Sequence, residues 1–254
     1  MALDQGNGSF TGQTESHAFA GFLFDVDGTI INTTDAVTKH WQRIGAELGV
    51  DPDVILRNSR GRRSIDTLRL KLGMSVSLPG PPQCHIDIYA TDVRHIESLI
   101  PKLYGSGVTE IRGARPLLKS MGEANAPWAL VTSCTRTLLS GWLDLLALPS
   151  PPASVAAEDV AAGKPDPACY NLGRERIGLG ERARVLVAED APAGVKAGKA
   201  AGCMVLGLAT THGVDQLRDA GADWIIEDLT CVKVAGKGDD GWEISIEKMW
   251  VQNE

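Results

Sequence analysis

The sequence predicts an α/β protein, in which a parallel sheet is flanked by helices and an all-helical subdomain follows the first strand. Short apolar runs alternate with segments of helical periodicity, which is typical of βα units and of a sheet covered on both faces. One interval differs: from about Asn32 to about Gly107 the periodicity is helical, with no convincing strand. This interval of about 75 residues is far longer than a usual βα connection. We therefore expect a Rossmann-like core with an inserted helical subdomain.

The chain begins with a segment rich in Gly, Ser, Thr and Gln. Such a composition buries little apolar surface, so we expect a disordered tail over residues 1–18. The first strand follows as the apolar run Phe22–Phe24, which ends directly before Asp25.

The helical insertion is expected over residues 32–107, between core segments 19–31 and 108–254. Its predicted helices are Asp35–Leu48, Ser64–Leu72 and Ile86–Tyr104, with a Pro/Gly break at Leu78–Pro82. Because the insertion leaves and rejoins the core beside Asp25, it should lie over that residue as a cap.

The rest of the core should alternate strands and helices. The predicted strands are Trp128–Ser133, Arg184–Ala188, Met204–Ala209 and Asp223–Ile226, and the predicted helices are Arg136–Ala147, Pro192–Ala201 and Gly213–Ala220. The alternating segment Trp242–Glu247 predicts a late edge strand.

Composition narrows the class of function and the compartment. The 25 Lys and Arg residues against 32 Asp and Glu give a net charge of −7, which argues against nucleic acid as a partner. No apolar run is long enough to span a bilayer, and no basic leader precedes the first cation, Lys39. The five cysteines are scattered without a CxxC pair, which favours reduced thiols. We expect a cytoplasmic protein with no membrane partner; nothing in the sequence requires a dimer, although a dimer remains an alternative to the expected monomer.

Asp25 and Asp27 are the most informative pair in the chain. They lie two residues apart at the end of an apolar run, directly before Gly28, and should project together from the carboxyl end of a strand. Carboxylates held this close repel each other unless a cation lies between them or one keeps a proton. The pair therefore suits a magnesium-dependent nucleophile with an acid/base group beside it.

Three further clusters follow later strands or precede a helix. They are Thr132-Ser133, Gly163-Lys164-Pro165 and Glu189-Asp190. Hydroxyls and a lysine could bind phosphate oxygens, and Asp190 could complete an oxygen shell around Mg²⁺. Taken singly, each cluster is more often structural, since Thr132 would serve as a helix N-cap and Lys164 as a solvated surface lysine. Their order at the ends of successive predicted strands favours one shared site.

Together these four clusters resemble the haloacid dehalogenase superfamily of phosphohydrolases, over almost the whole chain from about Ala20. The helical insertion is similar to a C1-type cap. The segments Phe22–Ile31 and Glu189–Cys203 look closest to those of the fungal glycerol-3-phosphatases and 2-deoxyglucose-6-phosphatases.

The resemblance implies a role for each motif residue. Asp25 would be the nucleophile that forms an aspartyl-phosphate, and Asp27 the general acid and base. Mg²⁺ would be held by Asp25, the main-chain carbonyl of Asp27 and Asp190, with Glu189 supporting through water or directly. Thr132, Ser133 and Lys164 would bind the phosphoryl group.

Substrate choice should lie in the cap, because the core motifs contact only the phosphate. In the segment Ser59–Ser64, Arg63 matches an arginine of the resembled caps and could bind phosphate or a substrate hydroxyl, although the segment could also be a solvated basic turn. The predicted activity is a Mg²⁺-dependent phosphomonoesterase for a small polyol or sugar phosphate. A phosphomutase of β-phosphoglucomutase type, a phosphatase for another small phosphorylated metabolite and a non-catalytic binding protein on the same fold are the alternatives.

Overall fold

The computed structural model describes residues 7–59, 61–72 and 90–252. Its centre is a six-stranded sheet of β3 (Gly21–Phe24), β6 (Trp128–Val131), β7 (Ala153–Val155), β8 (Val185–Glu189), β9 (Met204–Leu208) and β10 (Trp224–Ile226). The order is β10-β9-β8-β3-β6-β7, and every neighbouring pair is parallel. This confirms the predicted α/β class. Because β3 lies between β8 and β6, the strand order reverses on either side of it, and open sheets of this kind bind ligands at that switch point.

Helices cover both faces of this sheet. They are α6 (Ala114–Ala124), α7 (Arg136–Leu146), α8 (Ala168–Arg176), α9 (Pro192–Ala200) and α10 (Val214–Ala220). Alternate residues of β3 point to opposite faces, so Phe22 and Phe24 pack in one apolar cluster and Leu23 in another. Helices α6 and α7 contribute to the first cluster, and α8, α9 and α10 to the second. Burial on both faces explains why the strands read as continuous apolar runs.

The insertion contains five helices among its described residues. They are α1 (Thr34–Leu48), α2 (Pro52–Ser59), α3 (Ser64–Leu72), α4 (Ala90–Ser98) and α5 (Ile100–Tyr104). Helices α1 to α4 form a separate apolar cluster, which includes Trp41, Ile55 and Leu68, whereas Ala36 of α1 and Ile100 of α5 pack in the first core cluster. The chain enters the insertion through β4 (Ile31–Asn32) and leaves it through β5 (Thr109–Glu110), which pair antiparallel.

The predicted helix Ile86–Tyr104 is divided into α4 and α5 at Leu99. Pro101, in the first turn of α5, has no N–H for the preceding turn and disfavours continuation of a helix. The break predicted at Leu78–Pro82, and residues 86–89, lie outside the described residues.

The predicted disorder of residues 1–18 is wrong for residues 8–18. Strand β1 (Gly8–Phe10) pairs with β13 (Trp250–Gln252), and β2 (Glu15–Phe19) pairs with β12 (Gly241–Ile246). These backbone bonds join the two ends of the described chain. The predicted edge strand at Trp242–Glu247 corresponds to β12, but β12 is the middle strand of a small sheet, between β2 and β11 (Val232–Gly238).

The cysteines at positions 134, 169, 203 and 231 are buried free thiols, whereas Cys84 lies outside the described residues. Among the helices that the structure describes, none combines the length and apolar character needed to cross a bilayer.

Candidate active site

The four predicted clusters meet at the carboxyl edge of the parallel sheet. Asp25 and Asp27 follow β3, Thr132 and Ser133 follow β6, and Glu189 and Asp190 lie at the end of β8. Lys164 comes from the loop between β7 and α8. Because parallel strands end at the same edge, residues up to 165 positions apart in sequence share one site.

Lys164 joins three elements of this site. Its buried ammonium Nζ donates to Asp25 Oδ1 at 2.5 Å, Glu189 Oε1 at 2.6 Å and the carbonyl of Val131 at 3.3 Å. Burial alone would lower the pKa of Lys164, but the charges of Asp25 and Glu189 raise it above its ordinary value. All three N–H donors are therefore used within the protein, and the lysine is a permanent cation beneath Asp25.

The two carboxylates that follow β3 differ in their partners. Burial raises the pKa of Asp25 well above its usual range; Lys164 opposes this effect, whereas Glu189 and Asp190 add to it. Burial also raises the pKa of Asp27, against hydrogen bonding from Thr33 and Thr132 and the charge of Lys164. Asp27 Oδ2 accepts from Thr132 Oγ1 at 3.4 Å, while its Oδ1 has no partner among the described residues. One carboxylate oxygen of Asp27 is thus buried without a hydrogen bond of ordinary geometry from the described residues.

Gly28 makes the close approach of this loop to Asp190 feasible. It has a φ of 95°, and a Cβ there would lie 2.2 Å from Asp190 Oδ2. The next residue, Thr29, donates its hydroxyl to Asp190 Oδ1 at 3.3 Å. The glycine of the motif is therefore required by both its backbone conformation and the adjacent carboxylate.

Glu189 is fully buried and accepts four hydrogen bonds. Its Oε1 accepts from Lys164 and, at 2.7 Å, from the hydroxyl of Tyr170; its Oε2 accepts from the N–H groups of Asp190 and Ala191, both at 3.0 Å. Gly194 completes the pocket for this side chain, since a Cβ there would lie 1.6 Å from Glu189 Oε1. These contacts occupy both oxygens of Glu189 and fix the turn that carries Asp190.

Three carboxylates could hold a metal ion. Ligand oxygens of Asp25, Glu189 and Asp190 all lie within 4.8 Å of one another, and all three residues are buried. Burial, together with the charge of Glu189, raises the pKa of Asp190 to about 7 despite a hydrogen bond from Thr211. A buried cluster of this kind favours a bound cation, and an all-oxygen donor set fits a hard divalent ion. Because Glu189 already accepts four bonds, Asp25 and Asp190 are the more available direct ligands.

A cavity of about 90 Å³ lies between this edge of the sheet and the helical insertion. The core side of its lining includes Asp25, Asp27, Ser133 and Asp190, and the insertion side includes Thr34, His40, Trp41, Arg62 and Glu97. The acidic pair therefore faces a cavity that is bordered by the insertion and partly open to solvent.

Arg63, which was predicted to bind the substrate, is not among the residues that line this cavity. Its Nε and one terminal nitrogen donate to the carboxylate of Asp66, and its terminal nitrogens also reach the carbonyls of Ala157, Val160 and Ala161. All five N–H donors of the guanidinium are thus used, and Arg63 links the insertion to the loop that carries Lys164. Its neighbour Arg62 lines the cavity instead. Arg60 lies outside the described residues.

Two other contacts join the insertion to the core. Ser133 Oγ donates to the carbonyl of Gly61 at 3.1 Å. Glu97 accepts from Ser64 Oγ at 2.5 Å and from the N–H of Thr135, the N-cap residue of α7, at 2.8 Å. Burial raises the pKa of Glu97.

Sequence reasoning missed Glu97, Tyr170, Asp66 and His40. None of them belongs to a strand-end motif. The contacts of Glu97 with Thr135 and of Tyr170 with Glu189 join elements that follow different strands, and the burial of His40 depends on the packing of the insertion. Only the spacing of Asp66 three residues after Arg63 offered a local signal.

Comparisons with known proteins agree with this geometry. Glycerol-1-phosphate phosphohydrolase 1 of Saccharomyces cerevisiae is 34% identical over 220 residues, which cover 84% of this chain and 83% of that protein. The 2-deoxyglucose-6-phosphate phosphatase 1 of the same organism is 33% identical over 240 residues, or 88% of this chain and 94% of that protein. The crystal structure of a hydrolase from Pseudomonas syringae has the same fold, with a TM-score of 0.69 and 21% identity over 83% of this chain and 94% of that one. A family model for haloacid dehalogenase-like hydrolases matches residues 19–202. The resemblance inferred from the four motifs is confirmed, and the chain belongs to the haloacid dehalogenase-like hydrolase family.

Proposed function

We propose that this protein is a Mg²⁺-dependent phosphomonoesterase that hydrolyses a small polyol or sugar phosphate through an aspartyl-phosphate. The observation that supports this most strongly is the pairing, in one cavity, of Asp25, held by Lys164, with Asp27, whose Oδ1 accepts no hydrogen bond of ordinary geometry from the described residues. Both names among the reported relatives describe phosphatases of small phosphorylated molecules.

Asp25 is the nucleophile of the proposed reaction. One of its carboxylate oxygens attacks phosphorus, and the bond from phosphorus to the ester oxygen breaks. The hydrogen bond from Lys164 to Oδ1 fixes the carboxylate and leaves Oδ2 for the attack. Lys164 also offsets part of the negative charge that the phosphate brings to the site.

Asp27 moves the protons. In the first step it protonates the departing alkoxide, and in the second it removes a proton from the water that attacks the aspartyl-phosphate. Burial raises the pKa of Asp27, which favours the protonated form needed at the start, whereas Lys164 and a bound cation would favour the ionised form of Asp25. The Oδ1 atom of Asp27, which accepts no hydrogen bond of ordinary geometry from the described residues, is the oxygen proposed for the transfer. Thr132 orients the other oxygen of this carboxylate.

The proposed metal ligands are Asp25, Asp190 and the main-chain carbonyl of Asp27. When bound there, Mg²⁺ neutralises negative charge shared by the phosphate and the carboxylates. Glu189 supports this set by holding Lys164 and the backbone of Asp190, rather than as a direct ligand. Thr132 and Ser133 are proposed to border the phosphoryl group, beside Asp27.

Residues 32–107 are proposed as a C1-type cap over a core of residues 19–31 and 108–254. The cavity of about 90 Å³ is lined by polar groups from both the core and the insertion, which suits a small polar phosphomonoester. A cap that excludes water and contacts the leaving group would give both protection and selectivity. We propose a cytoplasmic monomer that acts on free metabolites, in line with the buried free thiols of the described residues.

The test is phosphate release with Mg²⁺ from a panel of phosphomonoesters. The panel contains both glycerol phosphates, 2-deoxyglucose 6-phosphate, hexose and pentose phosphates and polyol phosphates, each run with the wild type and with Asp25→Asn. We expect one class to be hydrolysed far faster than the rest and the activity to be lost in the variant. Formation of an isomeric sugar phosphate that depends on an added sugar bisphosphate, with little release of free phosphate, would indicate a phosphomutase instead of a phosphatase.

A further inference from the structure

His40 on α1 is a buried polar side chain without a polar partner. The residue is 2% exposed, and neither ring nitrogen has a hydrogen-bond partner among the described residues. Its ring packs edge-on against Trp41, with 5.4 Å between the ring centroids. Both residues line the cavity that contains Asp25 and Asp27.

Leaving these nitrogens unpaired is costly for the fold. A buried donor or acceptor without a partner costs roughly 1–3 kcal/mol, and nearly all such groups in folded proteins are paired. Two unpaired nitrogens on one ring are explained most simply if a ligand in the cavity pairs one of them, which requires a small turn of the ring because both nitrogens are buried beneath the cavity surface in this structure. An apolar residue in the same place would avoid the cost, so the histidine is better explained by binding than by stability.

The ring has a definite charge state at neutral pH. Burial lowers the pKa of His40 to about 4, and Arg43 on the same helix adds to this effect. A neutral imidazole offers one N–H donor and one acceptor nitrogen. An alcohol hydroxyl can donate one hydrogen bond to such a ring or accept one from it. A phosphate dianion has only acceptor oxygens.

Two other polar side chains on the cavity wall, Glu97 and Ser133, are already paired within the protein. Glu97 accepts from Ser64 and Thr135, and Ser133 donates to Gly61. Asp27, on the core side, also has an unpaired oxygen, and the proposed reaction uses it for proton transfer. The leaving group of the substrate would therefore lie between a proton-transfer group and His40.

We propose that His40 is a specificity-determining residue that hydrogen-bonds a hydroxyl group on the leaving group of the substrate. This rests on the proposed phosphatase function and names the chemical class that the insertion recognises: a phosphomonoester whose leaving group carries a free hydroxyl.

The test compares hydroxylated and hydroxyl-free substrates in His40 variants. Values of kcat/KM are measured for glycerol 3-phosphate, 2-deoxyglucose 6-phosphate and propyl phosphate, and the ratio of the better hydroxylated substrate to propyl phosphate is calculated. His40→Phe keeps the ring contact with Trp41 but removes both nitrogens, and His40→Gln restores an amide with one donor group and one acceptor. Thr38→Val, on the same helix and also beside the cavity, is the matched control.

We expect His40→Phe to lower the ratio roughly tenfold, the effect of one lost hydrogen bond, and His40→Gln to recover part of it. The urea midpoint of His40→Phe should equal or exceed that of the wild type, because an unpaired buried group has been removed. A ratio within twofold of the wild type in His40→Phe, or an equal fall in Thr38→Val, would overturn the inference while leaving the phosphatase intact. Absence of phosphate release from every substrate by the wild type would overturn the phosphatase, and this inference with it.

Discussion

Arg63 provides the sharpest structural prediction, because its contacts assign it to the interface between the insertion and the core. The perturbation is Arg63→Ala. It removes two charge-assisted bonds to Asp66, with Nε to Oδ2 at 2.6 Å, and three bonds to the loop carbonyls of Ala157, Val160 and Ala161.

The expected loss of stability follows from the burial of the Arg63–Asp66 ion pair. Hydrogen bonds to charged groups contribute about 1.5–3 kcal/mol each, and loss of one partner from a buried pair costs about 3–5 kcal/mol. The side chain of Arg63 is 8% exposed and that of Asp66 is 22% exposed, so water can solvate part of the carboxylate that remains. We therefore expect Arg63→Ala to lower the free energy of unfolding by about 3 kcal/mol, the lower end of the range for a broken buried pair.

The assay is urea unfolding together with steady-state kinetics. In Arg63→Ala the insertion should separate from the core more readily, so KM should rise for every phosphomonoester while the ratios between substrates stay constant. Arg62→Ala is the matched control, because Arg62 lines the cavity and makes none of these bonds to the loop; it should change KM without a comparable loss of stability.

Stability of Arg63→Ala within about 0.5 kcal/mol of the wild type, the usual range for surface substitutions, would refute this reasoning. If the substitution instead changed the ratios between substrates at unchanged stability, Arg63 would contact substrate, as the sequence alone suggested.

Two further predictions concern the acidic edge of the site. Glu189→Gln places an amide donor among four existing donors, so it should lower the free energy of unfolding, measured in urea, by about 3 kcal/mol or more. The exposed Glu123→Gln is the control and should cause no such loss. Equal free energies of unfolding for the two variants would contradict the four hydrogen bonds assigned to Glu189. The pKa of Asp190 is raised to about 7, above its value in the unfolded chain, so without metal the carboxyl stabilises the fold at low pH and loses that contribution as pH rises through 7. Because Mg²⁺ must displace this proton, its stabilisation of the protein against urea should be larger at pH 8 than at pH 6, and a shift independent of pH would contradict Asp190 as a ligand.

The core and the position of the candidate site were predictable from sequence because their signals are local. A strand buried on both faces is an apolar run, and Asp25, Lys164 and Asp190 each lie in a short motif beside a strand or a helix. Parallel topology then brings such motifs to one edge without any further information. Strand β7 and helices α2, α6 and α8 were not predicted. Only α8 has a weak apolar periodicity, whereas α2 and α6 are amphipathic and carry a signal that the sequence analysis did not use.

The remaining features depend on contacts between distant segments. Residues 8–18 have the composition of a tail, and they are ordered by strands that follow more than 200 residues later. The arginine motif indicated a cation near the cap but not its acceptors, which are carbonyls some 95 positions away. Likewise, the sequence does not indicate that Tyr170 of α8 donates to Glu189 or that the ring of His40 is unpaired, because both depend on how the helices pack.

The central claim is that Asp25 forms a covalent aspartyl-phosphate, and the most direct measurement is mass spectrometry of acid-quenched protein. The variant is Asp27→Asn, with Mg²⁺ and p-nitrophenyl phosphate, whose leaving group departs without a proton. Because the variant lacks the base for the second step, a phosphoryl group should accumulate on the peptide that contains Asp25, and Asp25→Asn should show none. A phosphoryl group on another residue, or full phosphatase activity in Asp25→Asn, would contradict the account.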